Sequence, residues 1–304
     1  MGSCLVLGAM AGRMPAQEVA PENITIRTNI SYLKGNVGDE YAKTQCLLDV
    51  YLPRNQDKPF PLIVWYHGGA LKGGAKNSSV SVAVAKSLAA RGVGVILAEY
   101  RLSPKVKFPV YVQDSAQAVR WAVENAASLK AQPKIYVGGH SAGGYLAAIL
   151  AMDGRYLKEA GVEERQIAGY VSMSGQMMTH FTVAAERGIS EKVITVDDAA
   201  PVHHLRTGIP PMLVLVGDND WPARLEENAY FVSALKKVGG NTNISFLVIK
   251  GRDHGGILKN TAEPGDPAAT AILEFMSTGK LPPDGSEPVK MPGKETLVDP
   301  ATKP

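Results

Sequence analysis

The stretch YVGGHSAGGYLAAILAMD, from Tyr136 to Asp153, constrains this chain more than any other. A short apolar run, Ile135, Tyr136 and Val137, enters Gly138-Gly139-His140-Ser141-Ala142-Gly143-Gly144, and an alanine- and leucine-rich segment of helical spacing follows at once. The pattern predicts a strand, a tight turn and a helix, with Ser141 at the apex of a G-x-S-x-G sequence. A turn sharp enough to expose a serine hydroxyl forces strained backbone angles, and side chains at Gly139 and Gly143 would collide with neighbouring elements. The helix that starts just after Ser141 aims its free N–H groups and positive dipole end at the same point, where negative charge would be welcome.

The rest of the chain alternates between strand and helix signals. Ile24–Arg27 and Leu47–Leu52 read as the first two strands, the second ending at Pro53. Leu62–Tyr66 and Val93–Ala98 are continuous runs of β formers, as expected of strands buried on both faces of a parallel sheet. Gly169–Met173, Met212–Val216 and Ile244–Ile249 complete the strand set. Helices are expected over Val80–Ala90 with Gly92 as stop, Ser115–Ala127 with Asp114 as N-cap, 224–238, and Pro267–Ser277. This order means an α/β fold with a mostly parallel central sheet flanked by helices. No internal repeat interrupts it.

Composition narrows the class further. The 304 residues are 45% hydrophobic and 20% charged, with a formal net charge of +3 that is not clustered. That balance gives no reason to expect nucleic acid or an anionic membrane as partner. No apolar run approaches the ~20 residues that span a bilayer. Two cysteines, Cys4 and Cys46, make no disulfide framework and no CxxC metal site. There is no HExxH, no clustered set of ligands, no GxGxxG and no P-loop, so neither metal nor cofactor is expected. Nothing in the sequence sets an oligomeric state. Residues 1–20 read as the back half of a secretion signal, with an apolar core from Cys4 to Met10 but no basic start; export to the periplasm or the outside follows, and otherwise the cytoplasm. Residues 21–278 then form one catalytic domain. From Gly279 to Pro304 the chain is rich in Pro, Lys and Gly and reads as a flexible tail.

In open α/β sheets, sites gather at the carboxyl ends of the strands. Four such ends carry suggestive residues: His67-Gly68-Gly69-Ala70, Ser141, the Gly217-Asp218-Asn219-Asp220 loop, and Asp253-His254. Ser141 is the nucleophile by position, and a serine hydroxyl needs a base to take its proton. Of six histidines, His254 is the best base, on a loop that follows a strand. His67 and His140 belong to backbone motifs and are expected to bond locally. His203 and His204 are adjacent and cannot face the same way, and His180, within an insert, is expected on the surface. Asp114 and Asp253 are read as structural, and Glu99 as the partner of a cation such as Arg101.

The motifs LDVYLP, HGGA, YRLSP with the later FPVYVQD, GHSAGG, GDND and DHGG span residues 47–256. With them the chain resembles the α/β-hydrolase family. Within that family it is most similar to the hormone-sensitive-lipase-like and feruloyl-esterase-like carboxylesterases, whose relatives include kynurenine formamidase. The resemblance implies a serine carboxylesterase acting on a small-molecule or carbohydrate-linked ester. It points to Asp220 rather than Asp218 as the acid, Asp218 being expected to make a local turn bond. It places an oxyanion hole on the N–H groups of Ala142, Gly69 and Ala70, with Ala70 standing where such relatives have a third glycine. The same apparatus could act on an arylformamide, but Leu71 replaces the tryptophan of HGGxW; on a peptide, but there is no room for the large extra domain of a peptidase; or on acetyl or feruloyl groups of polysaccharides. A silent hydrolase fold serving as a binding protein is the reading from another class. The helical lid of lipase-like relatives is expected to be small or absent, because the residues before Leu62 read mostly as strands. The insert Gln176–Ile209 then supplies a short-acyl pocket through Met177, Met178 and Phe181.

Overall fold

The computed structural model describes residues 23–35, 39–54 and 56–285. The proposed signal segment and most of the proposed tail, from residue 286 onward, lie outside the described residues.

Eight strands form one sheet: β1 (Ile24–Ser31), β2 (Leu47–Pro53), β3 (Phe60–Tyr66), β4 (Gly94–Ala98), β5 (Ala131–His140), β6 (Ile167–Met173), β7 (Met212–Asn219) and β8 (Ile244–Asp253). Their spatial order is β1-β2-β4-β3-β5-β6-β7-β8. β1 and β2 pair antiparallel, as do β2 and β4, and every other neighbour pair is parallel. The helices are α1 (Glu40–Gln45), α2 (Ser79–Ala90), α3 (Val110–Asn125), α4 (Ala142–Met152), α5 (Arg155–Glu159), α6 (Phe181–Glu186), α7 (Arg224–Lys237), α8 (Gly256–Asn260) and α9 (Pro267–Thr278).

The unbroken apolar runs have the cause the sequence suggested. In β3, Leu62, Val64 and Tyr66 enter one core with α3 and α4, while Ile63 and Trp65 enter the other with α2 and α9. Alternate residues point to opposite faces, so a strand covered on both sides must be apolar throughout. Before β3, the described residues hold only β1, the six-residue α1 and β2. Over the carboxyl ends of the strands lies the segment between β6 and β7, which carries α6. It is fastened to the rest by the Tyr145 hydroxyl donating to Ala199 O (2.9 Å) and by Thr182 Oγ1 donating to Ala70 O (2.6 Å).

Three expectations are corrected here. Asp114 does not cap a helix: α3 begins a full turn earlier, at Val110. Its buried carboxylate instead grips Arg101, accepting from Nε (2.9 Å), Nη2 (2.7 Å) and the Arg101 N–H (3.0 Å). Glu99 therefore does not pair with Arg101. Its Oε2 faces His67 Nε2 at 3.0 Å, and its Oε1 accepts the Lys76 N–H at 2.8 Å. Nor is His180 on the surface; it is 2% exposed, caps α6 by accepting the Thr182 N–H on Nδ1 (3.2 Å), and packs on Tyr145 and Phe181.

The Asp114–Arg101 grip generates a prediction. Asp114→Ala leaves a half-buried guanidinium without its bidentate partner, so stability measured by urea denaturation should fall by roughly 2–4 kcal/mol. Asp114→Asn, which keeps one acceptor, should lose less.

Candidate active site

Ser141 sits between β5 and α4 at φ 57°, ψ −118°. An L residue adopts that conformation only when its surroundings enforce it. The glycines do so by allowing backbones to touch. A Cβ on Gly143 would lie 2.0 Å from Tyr66 O, and one on Gly139 would lie 2.5 Å from the Gly143 carbonyl carbon. The end of β3, the end of β5 and the first turn of α4 are thus in direct contact.

That contact brings the HGGA loop beside the serine. Gly69, Ala70 and Leu71 all have positive φ (116°, 58° and 60°). Only Gly69 could not be replaced on space alone, since its Cβ would meet Gly73 O at 2.2 Å. Ala70 holds a left-handed conformation that costs an alanine about 1 kcal/mol. The loop is kept there by His67, whose ring stacks on Tyr100 (4.5 Å between centroids) while both its nitrogens face acceptors, Gly68 O and Glu99. The N–H groups of Gly69, Ala70 and Ala142 donate to no described residue. For Ala142 this is the ordinary condition of a helix's first turn.

A chain of hydrogen bonds joins the other strand ends. His254 Nε2 lies 2.9 Å from Ser141 Oγ, and His254 Nδ1 lies 2.6 Å from Asp220 Oδ1. Asp220 also accepts the Ser174 hydroxyl on Oδ2 (2.5 Å) and the Trp221 N–H on Oδ1 (2.6 Å). Burial works to raise its pKa, but the bonds from His254 and Ser174 outweigh this and hold it below the usual carboxylate value. Asp218 bonds elsewhere: its Oδ1 accepts the N–H groups of Gly251 (2.7 Å) and Arg252 (3.2 Å). It joins β7 to β8 just ahead of His254, rather than closing a local turn. Asp253 accepts the Gly256 N–H (2.6 Å) at the start of α8.

Three residues around this chain were given no part in the site by the sequence. His140, expected to bond locally, donates from Nε2 to His254 O across 114 positions (2.6 Å). Ser174 (φ 53°) supplies the second bond to Asp220. Trp221 stacks on the His254 imidazole, with centroids 3.7 Å apart and planes 18° apart. Their only sequence signal was adjacency, to Ser141, to the end of β6 and to Asp220. Among the expected pocket residues, Met177 is a correction: it is wholly buried in the core, while Met178 and Phe181 are half-buried. Its N–H and that of Met178 both donate to Glu227 Oε1 (2.7 and 2.7 Å). His203 and His204 cross nearly edge to face, 77° apart. Among the described residues, no group of three or more His, Cys, Asp or Glu is placed to hold a metal ion, and no helix is long and apolar enough to cross a membrane.

A mostly parallel eight-stranded sheet with helices on both faces, a strained serine between β5 and α4, and histidine and aspartate on the following loops define the α/β-hydrolase class. Within it the chain belongs to the BD-FAE family, whose model matches residues 48–235, more than half of its length. It is 29% identical over 260 residues to Esterase LipC of Mycobacterium tuberculosis, covering 79% of this chain and 63% of LipC. It is 27% identical over 216 residues to Carboxylesterase NlhH of the same organism, covering 64% of this chain and 67% of NlhH. The fold matches a truncated carbohydrate esterase from gut microbiota (TM-score 0.69, 20% identity, 86% of this chain and 98% of that one). It also matches a hyperthermophilic esterase from Pyrobaculum calidifontis (TM-score 0.58, 26% identity, 77% and 80%).

The buried histidines make stability depend on acid. Burial pushes His140 down to about 4 and His180 down to about 3, with nearby positive charge adding to the effect. Both lie below the ordinary value of 6.5, so as pH falls the unfolded chain takes up protons first. Stability is full above that value and declines toward the folded-state values. Going from about pH 6.5 to about pH 4.5 should cost about 2–3 kcal/mol per imidazole. His180→Asn keeps an acceptor for the Thr182 N–H, and its melting temperature should fall less steeply with acid than that of the wild type. Equal slopes would show that His180 is not a neutral buried imidazole.

Proposed function

We propose that this chain is a serine carboxylesterase that hydrolyses short-acyl esters through an acyl-enzyme. The observation that carries the reading is the unbroken chain Ser141 Oγ–His254 Nε2, His254 Nδ1–Asp220 Oδ1 at 2.9 and 2.6 Å, at the N-terminus of α4. Membership of the BD-FAE family and likeness to proteins named esterases support it.

In this reading Ser141 Oγ attacks the ester carbonyl carbon as its proton passes to His254 Nε2. The carbonyl oxygen becomes an alkoxide, and the N–H groups of Ala142, Gly69 and Ala70 stabilise it. The carbon–oxygen bond to the alcohol then breaks, and the alcohol leaves with the proton from His254. Water, deprotonated by His254, attacks the acyl-enzyme, and the acid is released with Ser141 restored. Asp220 accepts from His254 Nδ1, which fixes the tautomer with a bare Nε2 and stabilises the imidazolium in between. Ser174 and Trp221 N–H hold that carboxylate in turn. Short acyl groups are favoured because Thr182 ties α6 directly onto the HGGA loop, with Phe181 beside it.

Ser141→Ala should lower kcat by on the order of 10⁶, and a serine-directed phosphonate should label Ser141 alone and stop turnover. Asp220→Asn should lower kcat by roughly 10⁴ with KM less affected, whereas Asp218→Asn should cost less than about tenfold. These are read as hydrolysis of p-nitrophenyl acetate and butyrate. Near-wild-type turnover by Ser141→Ala would end the reading, and a larger loss in Asp218→Asn than in Asp220→Asn would reverse the acid.

A further inference from the structure

Arg224 is a buried cation with little compensation among the described residues. It opens α7, four residues after Asp220, and is 7% exposed. Its Nε and Nη1 have no hydrogen-bond partner among the described residues. Glu227 Oε2 is the nearest charge, but it stands 3.4 Å from Nη1, longer than the 2.7–2.9 Å typical of a charge-assisted bond. The other Glu227 oxygen already accepts two backbone N–H groups, those of Met177 and Met178. The placement is unfavourable a second time over, because the N-terminus of a helix favours negative charge and repels a cation. The residue before it, Ala223, is held at φ 64°.

The turn that carries Arg224 is tied to residues beside the Ser141–His254–Asp220 chain. Asn228 Nδ2 bridges Arg224 O and Gly175 O (2.9 and 2.9 Å), which fixes this turn of α7 against the bend that carries Ser174. Glu227 ties the same turn to Met177 and Met178. Arg224 follows Asp220 by four residues, and its turn of α7 lies against the segment from Gly175 to Met178 through Asn228 and Glu227. A buried, half-compensated cation in the interior of a fold is destabilising, and one beside a catalytic centre is where a ligand's charge would complete it.

We propose that Arg224 recognises a carboxylate on the acyl part of the substrate, so that the preferred esters are half-esters of short dicarboxylic acids. This rests on the esterase reading above. A planar guanidinium matches a carboxylate in shape and charge, and its affinity for one is strengthened where water is scarce.

Monomethyl succinate and methyl butyrate differ chiefly in the terminal carboxylate and share a leaving group. The wild type should show the higher kcat/KM on the half-ester. In Arg224→Gln the ratio of the two should fall by roughly tenfold or more, the size of one charge-assisted contact, mostly through KM. Arg224→Lys should keep part of it. Free succinate should inhibit the wild type competitively and succinamide far less, a comparison that needs no variant. An unchanged ratio in Arg224→Gln, an equal loss on both esters, or equal inhibition by succinate and succinamide would overturn the proposal. If the wild type hydrolysed neither ester, the esterase reading would fail by itself, and calorimetric binding of succinate to wild type and Arg224→Gln would still decide the subsite.

Discussion

The contact between Gly143 and the end of β3 is the constraint on which the rest of the site depends. A Cβ there would stand 2.0 Å from Tyr66 O, so α4 can start where it does only with glycine at that position. With α4 starting there, Ser141 stands at positive φ beside the HGGA loop that continues from Tyr66, a Cβ on Gly68 lying 3.1 Å from Ser141 Cβ. Ser141 and the HGGA loop are therefore brought together by backbone packing. In the proposed reaction, side chains are left to supply the proton transfer.

The HGGA loop needs its own support, since three successive residues in it have positive φ. That support is a buried polar network reaching to the antiparallel edge of the sheet. His67 meets Glu99, Glu99 accepts the Lys76 N–H, and Lys76 Nζ lies 2.8 Å from Asp49 Oδ1 and 2.9 Å from Asn29 Oδ1. A fully partnered network of this kind fixes one geometry, and removing any member would leave a buried charge or amide unpaired. The strands β1, β2 and β4 thus act on a loop at the centre of the sheet through charges rather than through apolar packing.

What could be read from the sequence follows the same division. Apolar runs and glycine turns report local burial and local backbone form, so the strands, the Ser141 turn and the α/β architecture were legible in residues such as Leu62–Tyr66 and Gly138–Gly144. Partnership over long separations is not written locally. Asp114 has the sequence setting of a cap but lies one turn inside α3 against Arg101, and Glu99 pairs with the distant His67 rather than with its neighbour in sequence. His180 misled for a different reason. A histidine in an insert carries no local sign of burial, yet its Nδ1 caps α6 and its ring packs on Tyr145 and Phe181. Met177 failed in the opposite sense, since an apolar residue in an insert can as easily be core as pocket.

The imidazole of His254 shows how these separate causes combine. Asp220 fixes the side of the ring that carries Nδ1, and Ser141 meets Nε2. His140, in the Ser141 turn itself, holds the His254 carbonyl, so the backbone bearing His254 is tied to the turn bearing Ser141. Trp221, fixed by its N–H on Asp220, covers one face of the ring while leaving 48% of its own surface exposed. An indole face stabilises a positive imidazolium more than a neutral ring and keeps water from that side. The loop at Asp220 and Trp221 therefore meets the ring at two points at once, with a carboxylate at Nδ1 and an aromatic surface stacked on its face.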